Sequence, residues 1–475
     1  MPIQQIPLMK GLNKSPVTAD YIDALPENMI AVPKPILNSN GYLKSFPGIK
    51  KRNDVAGLSR GAMFNSHENA VYRVLGNALY KGQSQVADAT IEGTSRVSMA
   101  CSYTSQAVAY EGKLSLYRYD GTVEQFGNWD SSSGYISYEL GEVSDICRNR
   151  GRYIVSKKNS DTFFVTDSVE ESKPDRYAAK YIAQSQPDGI IGIDSWRDFV
   201  LCFGTTTTEF FVLTGASSGI GAALYAPQPN MMIQIGIAGT HCKTKFADGH
   251  AIISNPATGA PSIYIIKSGA YQPIATASVE KIIQSYTAEE LSRSVLESTR
   301  FEGHQFLIVH LPTITLIYDA AVTEGGAQWS ILKTGLGDKV YRGIDFVYEN
   351  NSITCGDRLE NVTGELDSSI SSQYGQDSEH VLYTPLIKAD KARVFDLELE
   401  TSSGVTQRAN SLFISATTDG INYGIEKIAG HNKPFVYDSR ILWRSVGYVR
   451  KNIGFKFRVI TNYPVVLSGL QIRLE

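Results

Sequence analysis

The sequence predicts an all-β protein: a six- or seven-bladed β-propeller followed by a C-terminal β-sandwich. Three observations lead to this prediction, namely the residue composition, a hairpin pattern that recurs along most of the chain, and a change of pattern near residue 376. The 475 residues include 26 Tyr and 18 Phe, while 41 Gly and 18 Pro interrupt short apolar runs. Aromatic residues favour strands, and Gly and Pro mark the turns between them, so we expect few helices.

Seven segments share one pattern: an apolar strand, a polar turn, a second strand rich in aromatic or aliphatic residues, and a closing Gly or Asp. They begin at Ala70, Ala107, Tyr153, Phe199, Ala251, Phe306 and, more loosely, Ser352. The six intervals between the first and last of these starts average 47 residues, within the range of roughly 40–50 residues for a four-stranded propeller blade. Radial stacking buries both faces of each small sheet, which a lone hairpin cannot do. A pair of β-sandwiches would give similar turn spacing and remains the alternative.

The regions that flank the repeat are predicted to differ from it. Residues 1–50 are predicted to form an extended arm that enters a propeller at residues 51–375. Four prolines exclude a long helix in the arm: Pro26, Pro33, Pro35 and Pro47,. Over residues 376–475, stretches such as VFDLELETSSG alternate apolar and polar residues with period two. This alternation is typical of sheets with one solvated face and predicts the β-sandwich.

One short amphipathic helix is predicted inside the propeller region. Thr287 can cap its first turn, with Glu290 three positions later completing a capping box,. Leu291, Val295 and Leu296 then form an apolar stripe that leads towards residue 300,. We expect this helix to pack against the nearest sheet.

Charge and cysteine usage exclude several classes of protein. The formal net charge is −3, too near neutral for polyanion binding by the whole surface, although a local basic patch stays open. The five cysteines form no C-x-x-C pair: Cys101, Cys147, Cys202, Cys242 and Cys355. This argues against a disulfide framework and a structural zinc site, and favours reduced thiols made in a cytosol. Neither a signal peptide nor a membrane span is expected from the apolar runs.

The stretch TGASSGIG, which starts at Thr214, resembles the phosphate-binding turn of the short-chain dehydrogenases,. That turn needs a helix directly after its glycines, so that backbone N–H groups and the helix dipole point at the phosphate. Pro227 and Pro229 exclude a helix of useful length here,. We therefore interpret the stretch as the turn after a blade strand, and we assign no cofactor.

Residues 417–423, TTDGINY, resemble the Asp-box hairpins of sialidases and carbohydrate-binding sandwiches. The motif does not repeat in successive blades, so a tight Asp-Gly turn is the favoured interpretation. Tyr423 and Trp443 would be the only aromatic platform for a sugar. Tyr423 and Lys427 also match the Tyr-x-x-x-Lys catalytic spacing of short-chain dehydrogenases, but they lie about 200 residues after the glycines.

The remaining candidates for chemistry give no enzyme or metal signature. The seven histidines show no ligand spacing,. His241 and Cys242 would point to opposite faces of a strand, and His304 and His310 flank a core strand. No nucleophile–base pair or spaced pair of carboxylates stands out. We therefore expect no enzyme and assign no catalytic, cofactor-binding or metal-binding residues.

Basic and aromatic residues are interleaved near the C-terminus. The cations are Arg440, Arg444, Arg450, Lys451, Lys456 and Arg458, and the aromatic residues are Trp443, Tyr448, Phe455 and Phe457. Such a pattern indicates either a basic face for nucleic acid or an acidic protein surface, or the solvated side of two alternating strands. The sequence leaves these alternatives open.

Longer motifs resemble one family along the whole chain, among them MPIQQIPLMKG, SQPDGIIGIDSWRDF, ISNPATGAPSIYII, SYTAEEL, SATTDGINYG and VRKNIGFKFRVIT. They are similar to the packaged-DNA stabilisation proteins, also called tail hub or nozzle proteins, of short-tailed phages of enterobacteria. The resemblance implies a non-enzymatic virion protein of the tail, made and assembled in the host cytoplasm. Six copies would form a ring below the portal and its adaptor, retain packaged double-stranded DNA, carry tailspikes and a needle or plug, and conduct DNA during ejection.

An extended arm over residues 1–50 would suit docking on the adaptor or on a neighbouring subunit, by adding a strand to an exposed edge. The alternative function from another class is a propeller that binds or cleaves glycans at the cell surface. That alternative predicts a monomer whose funnel-shaped pocket holds convergent carboxylates or stacked aromatic residues.

Overall fold

A computed structural model describes residues 3–6, 8, 13–14, 22–36, 39–126, 141–186, 188–214, 223–322, 327–402, 404–407, 410–431 and 433–475. Six short strands precede the first complete blade: β1 (Ile3–Ile6), β2 (Asn13–Lys14), β3 (Ile22–Asp23), β4 (Met29–Val32), β5 (Tyr42–Ser45) and β6 (Gly48–Asp54). Their sheet partners, apart from the β2–β3 and β4–β5 pairs, lie hundreds of residues away.

In the described residues, seven four-stranded antiparallel sheets form the blades of a propeller. Blades 1 and 2 contain β7 (Ser59–Asn65), β8 (Ala70–Leu75), β9 (Ala78–Lys81), β10 (Ser84–Thr90), β11 (Ser98–Cys101), β12 (Ser105–Tyr110), β13 (Lys113–Arg118) and β14 (Val123–Gln125). Blades 3 and 4 contain β15 (Val143–Asn149), β16 (Arg152–Lys157), β17 (Thr162–Val165), β18 (Lys180–Ile182), β19 (Ile190–Trp196), β20 (Phe199–Gly204), β21 (Thr208–Leu213) and β22 (Tyr225–Pro227). Blades 5 and 6 contain β23 (Lys243–Phe246), β24 (Gly249–Ile253), β25 (Ile263–Lys267), β26 (Ala270–Pro273), β27 (Val295–Phe301), β28 (His304–His310), β29 (Thr315–Asp319) and β30 (Trp329–Leu332). Blade 7 contains β31 (Gly343–Glu349), β32 (Ser352–Asp357), β33 (Val362–Asp367) and β6.

The repeated hairpins of the sequence are the second and third strands of the seven blades. These strands are the most apolar of each blade, because both of their faces are covered by neighbouring blades; all six residues of β12, for example, are buried. The propeller prediction is confirmed, and the number of blades is seven.

Blade 7 is closed by a strand from the other end of the propeller sequence. β6 pairs antiparallel with β33, with Gly48 opposite Asp367 and Asp54 opposite Val362. Ile49 of β6 is fully buried in the core of this blade. Because the first strand of the region completes the last blade, the ring closes without an unpaired edge at the seam.

Two short helices connect blades 5 and 6: α1 (Ala277–Gln284) and α2 (Ala288–Ser292). The predicted capping box of Thr287 and Glu290 is present at the start of α2. Among the described residues, no helix has the length and apolar character needed to cross a membrane.

The apolar stripe predicted for this helix is wrong beyond Leu291. Val295 and Leu296 lie in β27, where Val295 pairs with His310 of β28. A β-branched side chain fits a paired strand better than a helix, so sheet formation ends the helix early.

The C-terminal region forms two packed sheets, which confirms the predicted β-sandwich. Its strands are β34 (Ser378–Tyr383), β35 (Ile387–Lys388), β36 (Ala392–Thr401), β37 (Asn410–Thr417), β38 (Lys427–His431), β39 (Ile441–Val449), β40 (Asn452–Thr461) and β41 (Val466–Leu474). One sheet has the order β39-β36-β41-β5-β4, with β1 also on β41, and the other has the order β34-β40-β37-β38, with β35 on β40. The core between them includes Leu397, Trp443 and Phe457.

The described strands of the N-terminal segment pair within their own chain. β1 and β5 both add to β41 of the sandwich, and the docking of residues 1–50 on the adaptor or on a neighbouring subunit stays a prediction. The segment also bridges the two domains: the Glu27 N–H donates to the Val381 carbonyl at 2.9 Å, and the Asn28 N–H donates to the Ile331 carbonyl at 2.7 Å. The Asn28 side chain, which is buried, donates to the Glu379 carbonyl and accepts from the Lys333 N–H, each at 2.8 Å.

Candidate functional site

The shaft along the propeller axis is the first place to look for a site, because ligand pockets of propellers form where the inner strands converge. A cavity of about 500 Å³ lies there. Residues from the first strand of every blade line it, from Met63 on β7 round to Phe346 on β31. The propeller therefore encloses a central cavity, and the chemistry of this cavity depends on the charged groups that the first strands place in it.

Eight charged side chains line the shaft, four of each sign. The carboxylates are Asp145, Asp194, Glu297 and Asp345, and the cations are Arg96, Arg148, Lys243 and Lys245. The sequence reasoning missed them. The available signal was a charged residue inside an otherwise apolar first strand, as in GIDSW and GIDFV, whereas the repeat was defined on the second and third strands.

Asp145 connects three blades. One of its oxygens, Oδ2, accepts from the Lys243 ammonium at 2.7 Å and from the Ile193 N–H at 2.8 Å. Its other oxygen accepts from the Ile146 N–H at 2.9 Å. The carboxylate thus accepts from one cation and two backbone donors, and both partners of the ion pair are almost fully buried. Such a group holds the inner strands of three blades together.

Asp194 is held in a similar way on the neighbouring blade. It accepts from Lys245 at 3.2 Å and from His250 at 3.1 Å. Burial acts to raise the pKa of Asp194, but Lys245 and His250 outweigh it and lower that pKa far below its usual range. The group is therefore a fixed anion at neutral pH.

On the opposite side of the shaft, Asp345 and Glu297 form a second cluster. Asp345 pairs with Arg96 and accepts from the Ser59 hydroxyl at 2.6 Å. Glu297 accepts from the backbone N–H groups of Asp345 and Phe346, at 2.8 and 3.0 Å. Blades 1, 2, 6 and 7 are linked through these contacts.

The two carboxylates of this cluster have opposite pKa shifts. Burial, reinforced by the charge of Asp345, raises the pKa of Glu297 to about 7. Burial also acts to raise the pKa of Asp345, but Arg96 and Arg73 outweigh it and lower that pKa. A raised acid beside an ionised one is also the arrangement of glycosidases. Here, however, both carboxylates are occupied by donors from neighbouring blades, and only 12% of the Glu297 side chain and 4% of the Asp345 side chain are exposed.

The shaft thus offers convergent carboxylates, as the glycan-cleaving alternative required, but each is consumed by a partner from another blade. His241 also lines the shaft, and burial lowers its pKa to about 3, so the ring is neutral. Cys242 points the other way, as expected, with its Sγ 3.3 Å from the Leu291 carbonyl in the core. Among the described residues, no group of three or more His, Cys, Asp or Glu side chains is arranged to hold a metal ion.

The TGASSGIG stretch connects two adjacent strands of blade 4. Residues 215–222 lie outside the described residues, but their flanks are defined. The Thr214 N–H donates to the Leu224 carbonyl at 2.9 Å, and β21 runs antiparallel to β22, with Leu213 opposite Tyr225. The described flanks are two paired strands, whereas the dinucleotide-binding motif leads from a strand into a helix,.

The Asp-box-like motif is a hydrogen-bonded turn after β37. Asp419 accepts from the N–H groups of Ile421 and Asn422, at 2.9 and 2.8 Å, and from the Thr417 hydroxyl at 2.9 Å. The backbone donors hold the pKa of Asp419 well below its usual range. Gly420 has a φ of 76°, a conformation that glycine adopts without strain. The carboxylate therefore shapes the turn.

The aromatic platform proposed for a sugar does not form. Trp443 is 4% exposed and packs against Phe457 in the sandwich core, with ring centroids 5.9 Å apart. Tyr423 packs edge-on against Tyr383 at 5.7 Å. Lys427 donates to the Ser445 carbonyl at 2.5 Å, bridging β38 and β39, so Tyr423 and Lys427 serve the packing of the sandwich.

The interleaved basic and aromatic residues near the C-terminus do not form a single face. Phe455 and Phe457 are buried. Two of the cations are paired, since Arg440 donates to Glu398 at 2.7 Å and Arg458 donates to Glu426 at 2.9 Å. Alternation along the strands separates the aromatic residues, which face the core, from the cations, which face solvent. Exposed members remain at residues 444, 448, 450 and 451.

The histidines that flank β28 have structural partners, as interpreted. The Nδ1 atom of His304 lies 2.5 Å from Asp319, and its ring stacks on Phe306. His310 is buried, 3.5 Å from Glu297. Burial lowers the pKa of His310 well below its usual value, which removes it as a charged partner at neutral pH.

Comparison with known proteins identifies the arrangement of domains. A family model described as "Bacteriophage P22 Gp10, beta-propeller" matches residues 4–371, and one described as "Bacteriophage P22 Gp10, beta-sandwich" matches residues 379–475. The chain is 61% identical over 475 residues, the full length of both proteins, to the "Tail hub protein gp10" of Salmonella phage P22. The expected family resemblance is confirmed.

Solved structures show only distant similarity. PorZ, a surface component of the type-IX secretion system of Porphyromonas gingivalis, aligns at 12% identity with a TM-score of 0.35, covering 70% of this chain and 42% of PorZ. BBS1N from a complex with ARL6DN aligns at 9% identity with a TM-score of 0.39, covering 67% of this chain and 97% of that one. Neither similarity carries a functional argument.

Proposed function

The chain belongs to the bacteriophage P22 Gp10 family, and from that premise we propose that it is the tail hub of a short-tailed phage. Its structural role in a virion tail follows from the full-length relationship to a tail hub protein. The finer proposal is that six copies form a ring below the portal and its adaptor, retain the packaged DNA, carry tailspikes and a needle or plug, and conduct DNA during ejection. Assembly takes place in the host cytoplasm.

The observation that carries this proposal is identity across both domains and the whole length, 61% over 475 residues. A relationship confined to the propeller would support the fold alone. The shaft supports a non-enzymatic role, because its carboxylates are used to join blades.

The size of the shaft bears on where DNA would pass. A cavity of about 500 Å³ has room for on the order of fifteen waters, and buried ion pairs such as that of Asp145 with Lys243 join the strands around it. We therefore place the duplex outside the propeller shaft. A conduit has to be formed between subunits, and heterologous contacts that close into a ring provide one.

The chain is further proposed to work as a propeller at 51–375 and a sandwich at 376–475, with residues 1–50 tying one to the other. The support is that β1, β4 and β5 join the sandwich while β6 joins the propeller. A protease site inserted after residue 375 tests this arrangement: the cleaved halves should stay together in gel filtration, and their separation would contradict it.

Reconstitution tests the main proposal. Purified protein would be added to DNA-filled particles that carry portal and adaptor but lack this component. Binding as a sixfold ring, with DNA then protected from added nuclease, is the expected result. Particles that neither bind the protein nor retain DNA, or turnover of a surface polysaccharide by the free protein, would contradict it and favour the glycan-processing alternative.

A further inference from the structure

The far end of the sandwich carries a group of exposed cations. We define the basic tip as Lys388, Lys391, Arg393, Arg450 and Lys451, all exposed. Backbone pairing brings them together: Lys388 is in register with Asn452, and Arg393 with Tyr448. The Lys391 N–H donates to the Arg450 carbonyl at 3.2 Å, and the Ala389 N–H donates to the Lys451 carbonyl at 2.7 Å.

The cations of the basic tip differ from Arg440 and Arg458 of the same domain by having no carboxylate partner. In the part of the chain that the structure describes, none of the five forms an ion pair, whereas Arg440 and Arg458 do. Two carboxylates, Asp390 and Glu475, lie at this end of the sandwich, so the local charge stays positive. Unneutralised cations held this close together repel one another, and an anionic ligand relieves that cost.

The basic tip also stands away from the propeller. It lies at the start of β40, whereas the end of β40 meets the propeller, where the Ser371 N–H donates to the Asn462 carbonyl at 3.0 Å. The ten residues of β40 span about 30 Å. The sandwich therefore presents its positive end at a distance from the body of the subunit.

Positive charge is also concentrated in the C-terminal domain, which carries the basic tip. Residues 376–475 hold thirteen Lys and Arg against ten Asp and Glu, within a protein whose net charge is −3. The excess of positive charge is thus confined to the domain that carries the basic tip, and the remainder of the chain is acidic, which does not attract a polyanion.

We propose that the basic tip binds the phosphate backbone of double-stranded DNA and is the place where the hub holds packaged DNA. This inference rests on the proposed function. Three of the five cations are lysines, a residue depleted at protein–protein interfaces and common at phosphate contacts. Among the described residues of the adjoining strands β36 and β39, the large apolar side chains exposed near them are Phe395 and Tyr448, 42% and 61% exposed, too little for an amphipathic face that inserts into lipid.

The test replaces all five cations: Lys388→Gln, Lys391→Gln, Arg393→Gln, Arg450→Gln and Lys451→Gln. The matched control removes five exposed cations scattered over the propeller: Lys50→Gln, Lys180→Gln, Lys281→Gln, Arg300→Gln and Lys339→Gln. Both variants change the net charge equally. Binding of the full-length protein to a labelled 30-base-pair duplex is measured by fluorescence anisotropy across a series of salt concentrations.

Five phosphate contacts predict a slope of about −4.5 in log K against log salt. The tip variant should lose most of this slope and bind at least ten-fold more weakly at low salt, while the control behaves as the wild type. Equal weakening in both variants, or no effect in either, would overturn the proposal. So would binding of the wild type to vesicles of anionic phospholipid, or to an acidic protein, in place of the duplex.

Assembly separates this inference from the proposed function. The tip variant should still bind to adaptor-bearing particles and retain less DNA than the control does. Failure of the wild type to bind to those particles would count against the hub role. Binding of DNA by the basic tip would then be decided by the duplex measurement. Full DNA retention by the tip variant would contradict the basic tip while leaving the hub role intact.

Discussion

The propeller shaft and the basic tip of the sandwich use charge in opposite ways. The shaft brings four carboxylates and four cations into a cavity of about 500 Å³, and its carboxylates pair with cations or backbone donors from other blades. The basic tip holds five exposed cations without a carboxylate partner among the described residues. Buried charge needs partners and contributes to the fold, whereas exposed unpaired charge is available for binding. The cavity therefore holds charges that serve the fold, while the exposed cations of the sandwich are free to meet a partner.

The largest effect should follow from breaking the shaft. Asp345→Ala leaves Arg96 without its partner in a buried cluster, which costs about 3–5 kcal/mol. Urea unfolding followed by tryptophan fluorescence measures the change. Asp167→Ala, at a blade turn where Asp167 accepts from the Val169 N–H, is the control and should cost much less. If Asp345→Ala lowers the free energy of unfolding by less than about 1 kcal/mol, the shaft charges do not have the structural role described here.

The free energy of unfolding should also depend on pH through the buried carboxyl of Glu297 in the shaft. The pKa of Glu297 is about 7 in the folded protein and about 4.5 without burial, so its carboxyl favours folding when protonated. This contribution is fully present below pH 4.5 and is lost as pH rises towards 7, by about 3 kcal/mol at 1.36 kcal/mol for each pKa unit. Glu297→Gln should flatten that slope between pH 4.5 and 7.5 in urea titrations. If the free energy of unfolding of Glu297→Gln keeps the same dependence on pH, another group is responsible for it.

A smaller effect should come from the segment that joins the two regions. Asn28→Ala removes two hydrogen bonds at a buried site whose φ is 52° and should cost about 2–3 kcal/mol. Asn69→Ala has a similar φ of 47° at an exposed hairpin turn and should cost about 1 kcal/mol or less. Scanning calorimetry should show the propeller and sandwich melting separately only in Asn28→Ala. Identical melting of both variants would deny the bridging role.

The smallest effect is expected at the basic tip. Replacing its five cations by Gln should change the free energy of unfolding by no more than about 0.5 kcal/mol for each surface substitution, with a net gain where repulsion is relieved. The midpoint of urea unfolding measures this directly. A large loss of stability would mean that these cations hold the sandwich together, and the contrast with the shaft would disappear.

Much of the architecture could be predicted because the central hairpins of the blades are apolar on both faces and recur at a nearly constant spacing. The first strand of each blade, which lines the shaft, could not be recognised as part of a site from the sequence. An interior aspartate such as Asp345 looks like a strand end until its distant partner Arg96 is known. The strand that pairs with both β1 and β5, β41, lies more than 400 residues away, so no local pattern reveals this pairing. The basic tip combines residues 388–393 with residues 450–451, and only the register of β35 and β36 against their neighbours brings them together.

A reconstruction of the intact tail by electron cryomicroscopy would show directly where the duplex lies relative to the subunits. We expect a sixfold ring of seven-bladed propellers, with the duplex on the common axis between subunits, the propeller shafts free of DNA, and residues 388 and 451 facing phosphate. A duplex threaded through a propeller shaft, or a hub in which the sandwich end lies away from the DNA on the outer surface, would contradict it.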